Sequence, residues 1–207
     1  MLAKTFAVIM LGAGMALIIN PLQNIKTKRS VFSSPLPIAT TPSPTITPAD
    51  KIRTSVMDSP EGTKSLTLKK QESKGQTSYT LFVSPKSGEQ KQQIFLREKS
   101  DSGDLSIPYN TWSPDNIYVF LKETTPLANN YFVIQSSGDS FPNNLPYLSV
   151  QELFKEKVPK YVIEDITGWG GVNLLLINTK SIENDNKVSF WLDVPSQTFI
   201  QLGTYFK

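Results

Sequence analysis

Residues 111–123 read TWSPDNIYVFLKE: a turn anchored by proline, then at once a run of β-branched and aromatic residues. The arrangement recurs. Ser59-Pro60-Glu61-Gly62 precedes the run at 64–70, Ser113-Pro114-Asp115-Asn116 precedes 117–123, and Trp169-Gly170-Gly171-Val172-Asn173 precedes 174–179. The two Ser-Pro pairs stand 54 residues apart and Trp112 and Trp169 stand 57 apart. A period of this length rules out a heptad or a simple hairpin and leaves a repeated supersecondary unit.

Each unit continues in the same way. Second strands are expected at 78–83, 131–135 and 187–194, and the first and third units add strands at 92–98 and 198–205. Proline presets φ, while Gly, Asn and Asp tolerate the positive φ of tight turns, so these polar links predict antiparallel hairpins. In the middle unit, Ser149 and Glu152 form a capping-box pattern flanked by Leu148 and Leu153, and Val158-Pro159 follows. That pattern predicts a short helix in place of the outer strand.

Trp-Ser-Pro-Asp followed directly by a hydrophobic strand resembles the repeat of the TolB-like, or WD40-like, β-propeller families. The resemblance covers about 52–206 and is uneven. The middle unit has Asn116 where glycine is usual, the first lacks the Trp, and the third keeps only Trp169. It implies an all-β domain of antiparallel, blade-like sheets at 51–207. Closed propellers use about four to eight blades, so three units predict a stack that does not close into a ring. Open edges call for protection by charge, for which Lys91, Lys99, Lys155 and Lys157 are the candidates.

The first fifty residues are of another kind. Lys4 precedes an uncharged, mostly apolar run at 5–19, the layout of an export signal or membrane anchor. Gly14-Met15-Ala16 offers a small-x-small cleavage site, but Leu17-Ile18-Ile19 continues the apolar run past it, which favours an uncleaved anchor over 1–22. Residues 23–50 follow as a spacer. Pro35, Pro37, Pro42, Pro44 and Pro48 block helix and ladder hydrogen bonds there and predict an extended, disordered stalk. The expected arrangement is a single-pass protein of the cell membrane, N-terminus inside and β domain extracytoplasmic.

Composition narrows the chemistry. The chain has no Cys and no His, which excludes disulfides, thiolate or nucleophile–histidine catalysis and Cys/His zinc sites. Its net charge of +3 comes from interspersed signs, without the clustered basic face that nucleic acid requires. Carboxylates are the remaining catalytic candidates. Glu164 and Asp165 are adjacent on an expected strand and face opposite sides, so they cannot divide acid and base roles between them. Asp58, Glu61 and Asp115 read as turn acids, and 183–186 as an acidic hairpin tip rather than a calcium loop.

No cofactor and no metal are expected. The candidate partner-binding residues are the large aromatics Tyr109, Trp112, Trp169 and Trp191, although Trp112 and Trp169 at repeat positions are more readily explained as packing between sheets. The function expected is binding or scaffolding at the cell envelope without catalysis, with envelope proteins or a second copy as partner. The alternatives are a carboxylate-based envelope glycan hydrolase and a non-functional remnant of a larger propeller.

Overall fold

The computed structural model describes residues 50–87, 90–99 and 103–206. These belong to a compact unit spanning 46–207. The expected anchor at 1–22, and all of the expected stalk at 23–50 except Asp50, lie outside the described residues. Among the described residues no helix is long and apolar enough to cross a membrane.

Among the described residues, twelve strands form three four-stranded antiparallel meanders that do not close on one another. The first sheet holds β1 (Lys51–Asp58), β2 (Lys64–Ser73), β3 (Gln76–Pro85) and β4 (Gln92–Lys99). The second holds β5 (Asp104–Ser106), β6 (Tyr118–Thr124), β7 (Asn129–Gln135) and β8 (Leu148–Ser149). The third holds β9 (Tyr161–Trp169), β10 (Leu174–Ser181), β11 (Lys187–Asp193) and β12 (Thr198–Gln201). Three strands escaped the sequence reading, and a fourth, β9, was expected only around Glu164 and Asp165. β1 has only Ile52, Val56 and Met57 among charged and hydroxyl residues and is exposed along most of its length, β5 and β8 are very short, and β9 carries Glu164, Asp165, Gly168 and two register shifts.

Each sheet has a forward face, turned to the next sheet, and a back face. Leu66, Leu68, Tyr79, Leu81 and Val83 of the first sheet pack on Trp112, Val119, Leu121, Phe132 and Ile134 of the second. Phe120, Tyr131 and Val133, on the other face of the second sheet, pack on Ile166, Leu175, Ile177, Phe190 and Leu192 of the third. The middle sheet is therefore buried on both faces, which explains why VFL of β6 and YFVI of β7 read as continuous apolar runs. Each fully buried aliphatic or Phe side chain in these layers contributes ~1.5–3 kcal/mol.

The repeat is visible in the pairing. Ser65↔Ser84, Val119↔Ile134 and Leu175↔Leu192 are equivalent pairs, as are Thr67↔Phe82, Leu121↔Phe132 and Ile177↔Phe190. One hydrogen bond marks the same place in all three units: Lys86 N–H donates to Thr63, Ser136 to Ile117 and Val194 to Asn173.

Helix α1 (Val150–Lys157) stands where the middle unit's outer strand would continue, with Val150 and Phe154 buried against the third sheet. Ser149 is its N-cap, but its side chain makes no capping hydrogen bond, so the predicted capping box does not form. The edge role expected of Lys99 is also overturned. Its ammonium is buried at 2.6 Å from Glu123, in a cluster between the first two sheets that includes Arg97 and Asn130. Lys155 and Lys157 lie in the last turn of α1, where cations suit the helix dipole.

Candidate binding cleft

Two of the three turns share one geometry. In 59–64 and 113–118 the serine N–H donates to the carbonyl five residues on at 2.9 Å, and its hydroxyl accepts from that residue's N–H, at 3.1 Å in the first and 2.9 Å in the second. The fourth turn residue has positive φ in both, +67° at Gly62 and +59° at Asn116. Asparagine is among the few residues besides glycine that tolerate this conformation. Asp115 accepts from the Ser113 hydroxyl and the Ile117 N–H, the turn-internal role expected of it.

The tryptophans are repeat-equivalent. Trp112 bridges to Val119 and its indole N–H donates to the Met57 carbonyl at 3.3 Å; Trp169 pairs with Leu175 and its indole donates to the Thr111 carbonyl at 3.1 Å. Met57 and Thr111 occupy the same position in successive units, one residue before Asp58 and Trp112. Each indole thus ties its own sheet to the one before it. Trp112 is 5% exposed, whereas Trp169 is half-buried, stacked on Tyr118 at 6.1 Å and edge-on to Phe120 at 6.3 Å.

These turns border a cleft of about 530 Å³, lined by Met57, Asp58, Pro60, Tyr109, Asn110, Trp112, Pro114 and Trp169. Tyr109 is 86% exposed, and no hydrogen bond or ring contact holds it among the described residues. Asn110 is fixed by donating to the Thr167 carbonyl at 3.1 Å. Asp58 is held below the ordinary carboxylate range by hydrogen bonds from Lys86 and Ser65.

Three of the four candidate aromatics, Tyr109, Trp112 and Trp169, therefore meet in one cleft. Trp191 does not: it lies on the forward face of the third sheet, its indole against Gly170, where a Cβ would sit 2.7 Å from the ring nitrogen. Sequence reasoning missed Asn110 as a lining residue, and it placed Asp58 only as a turn acid. The 54-residue spacing was the available signal, because it puts Asp58 where Trp112 stands in the next unit.

Four of the remaining acids are occupied in structural roles. Glu164 accepts from Lys187 at 2.8 Å and from Tyr205 at 3.1 Å, and these bonds hold it low. Asp165 accepts from Tyr131 at 2.8 Å, and burial together with that bond pushes the phenol up. Glu183 and Asp185 pair with Lys160 and Lys180 at a hairpin tip. Among the described residues no three carboxylates converge as a metal site would require. No family model, no curated protein and no solved structure matches this chain.

Proposed function

We propose that this chain is a membrane-anchored, extracytoplasmic binding or scaffolding protein. Its stack of blade-like sheets holds a segment of an envelope protein in the cleft beneath Tyr109, without catalysis. One observation carries the reading. Tyr109 presents nearly its whole ring to water beside Trp169, although nothing in the fold requires it there. Exposed aromatics at a concave site supply large contact area at low conformational cost, which is the chemistry of protein recognition. Of the nearby acids, Asp58, Asp115 and Asp165 are committed to hydrogen bonds or ion pairs within the fold, which supports binding over hydrolysis. The apolar run at 5–19 and the proline-rich 30–50 support the membrane placement, as does the likeness of the Trp-Ser-Pro-Asp turn to TolB-like repeats.

The test replaces Tyr109 with a photo-crosslinking phenylalanine analogue in the full chain, in its native membranes. A discrete adduct at this position, absent when the analogue replaces the exposed Leu127, is the expected result. Adducts of equal yield and identity at both positions overturn the assignment of the cleft. Tyr109→Ala should abolish the adduct partner's co-purification while leaving stability within about 0.5 kcal/mol, as for a surface side chain without structural contacts.

A further inference from the structure

The first strand of the middle unit carries extra residues over a ladder that all three units share. In the first unit, Ser55 pairs with Leu68 and Asp58 with Ser65, three positions apart on β1. The equivalent pairs in the second unit are Ser106↔Lys122 and Trp112↔Val119, six positions apart. In the third they are Asp165↔Asn178 and Trp169↔Leu175, four apart. The middle unit thus has three residues more than the first. Pro108, Tyr109 and Asn110 stand out of the ladder there, between the partly buried Ile107 and the buried Thr111.

The third sheet makes room for this insertion. Asn110 donates to the Thr167 carbonyl, and a Cβ on Gly168 would lie only 2.7 Å from the Asn110 Cβ. The loop is therefore held at Asn110 and buried at Thr111, while the Tyr109 ring stays in water. It gives up ladder pairing and buries no aromatic in return, so the fold gains nothing by presenting that ring.

Tyr109 and Asn110 line two concavities at once. One is the cleft of about 530 Å³; the other, of about 410 Å³, is bordered also by Ser106, Pro108, Lys122, Asp165 and Thr167. Most polar side chains in both are committed within the fold. In the cleft, both indole N–H groups are spent on carbonyls, and Asp58 on Lys86 and Ser65. In the second concavity, the Ser106 hydroxyl donates to the Lys122 carbonyl at 3.2 Å, and Asp165 takes Tyr131 at 2.8 Å and Lys122 at 3.5 Å. Pro60, Pro108 and Pro114 offer no N–H at all. Among the described residues the Tyr109 hydroxyl, by contrast, makes no hydrogen bond.

Such walls select among peptides. An ordinary extended segment brings an N–H at nearly every residue, and each one buried without an acceptor costs as much as a lost hydrogen bond. Proline brings none. A polyproline II helix has no internal hydrogen bonds and leaves its carbonyls to solvent, and being preformed it loses little conformational freedom against aromatic rings. The charges bordering the site are already paired, as Lys86 with Asp58 and Lys122 with Asp165, so an uncharged stretch suits it. Given the cleft as a protein-binding site, on which this rests, we infer that the two concavities recognise a proline-rich segment of the partner protein. The segment lies across the Tyr109 ring as a polyproline II helix, and the Tyr109 hydroxyl donates to one of its carbonyls.

The test uses the full chain in its native membranes, with the photo-crosslinking analogue at Tyr109 and decaproline as competitor. Excess decaproline should suppress the adduct, a glycine–serine decapeptide should not, and digestion should place the cross-link in a proline-rich stretch of the partner. In the detergent-solubilised full chain, decaproline should change tryptophan fluorescence saturably. Tyr109→Phe, which keeps the exposed ring and loses only the hydroxyl, should weaken that binding about fivefold, the scale of one hydrogen bond. No adduct at all, or an adduct within this chain's own 30–50, overturns the cleft as a partner site and this inference with it. If a partner adduct forms but ignores decaproline or maps to a stretch without proline, this inference alone falls. A decaproline affinity unchanged by Tyr109→Phe overturns it equally.

Discussion

Glu123→Gln should destabilise the stack strongly at neutral pH and hardly at all in acid. The Glu123 carboxylate is 2% exposed between the first two sheets, with Lys99 Nζ at 2.6 Å, Arg97 Nε at 3.3 Å and Asn130 Nδ2 at 3.0 Å. Burial alone would raise its pKa. Hydrogen bonds from Lys99 and Asn130, with the charges of Arg97 and Lys99, outweigh that and hold it below the ordinary carboxylate range. Substituting the amide keeps the shape, removes the negative charge and leaves Lys99, itself only 6% exposed, without this counter-charge. Breaking one side of a buried pair costs about 3–5 kcal/mol; Arg97, at 29% exposure, keeps part of its hydration, so we expect about 3 kcal/mol.

The sign with pH follows from the direction of the shift. A carboxylate with a depressed folded-state pKa contributes stability that is complete above its unfolded value, near 4.5, and is lost as pH falls through the folded one. In urea titrations, the gap between native and variant should stay constant from neutrality down to about pH 5 and then shrink. A cost under about 1 kcal/mol at pH 7 would refute the reasoning, because the cluster would then be replaceable as its neighbours relax. A gap that stays constant to pH 3 would place the effect in packing, not in charge.

Trp112→Ala should cost ~3–5 kcal/mol in the same titration, as for other buried large aromatics, and the half-buried Trp169→Ala less. Trp112→Phe, which keeps most of the ring and loses the bond to Met57, should cost about 1 kcal/mol; a loss equal to that of Trp112→Ala would show that the hydrogen bond, and not the buried area, dominates. If the run at 5–19 anchors the chain, alkaline carbonate should leave the full-length protein in the membrane pellet. Complete release with an intact N-terminus would remove the membrane from the proposed function.

Much of this fold was legible because its repeat writes the same physics three times. The Ser-Pro turns at 59 and 113 declare themselves by residue type, and the hydrogen bonds of their serine N–H, carbonyl and hydroxyl to later turn residues agree. The strands that alternate or run apolar, β2, β3, β6, β7, β10 and β11, follow from burial on one or both faces. β1 was hidden, and β9 was read only around Glu164 and Asp165, because each lies at an edge, where one side makes no ladder and polar residues intrude. Their full extent follows from β2 and β10, which offer each a free ladder. The cleft was half legible. Its aromatics stood out by size, but Asn110 reaches it only through a bond 57 residues away, to Thr167, and no periodicity reports such a contact.

The departures from the repeat carry as much information as its matches. A tryptophan at the end of a unit's first strand is useful only when a preceding sheet offers a carbonyl to its indole. The first unit, with no described sheet behind it, has Asp58 there, and that acid turns instead to Lys86 and Ser65. A Lys–Tyr pair on a forward face is useful only when the next sheet brings an acid, as Asp104 does for Lys70 and Tyr79 and Asp165 for Lys122 and Tyr131. The third sheet meets no such acid, and Asn178 and Ser189, uncharged and sized for backbone groups, bind the segment that folds across it. Residue type at each repeat position thus tracks what lies beyond the sheet.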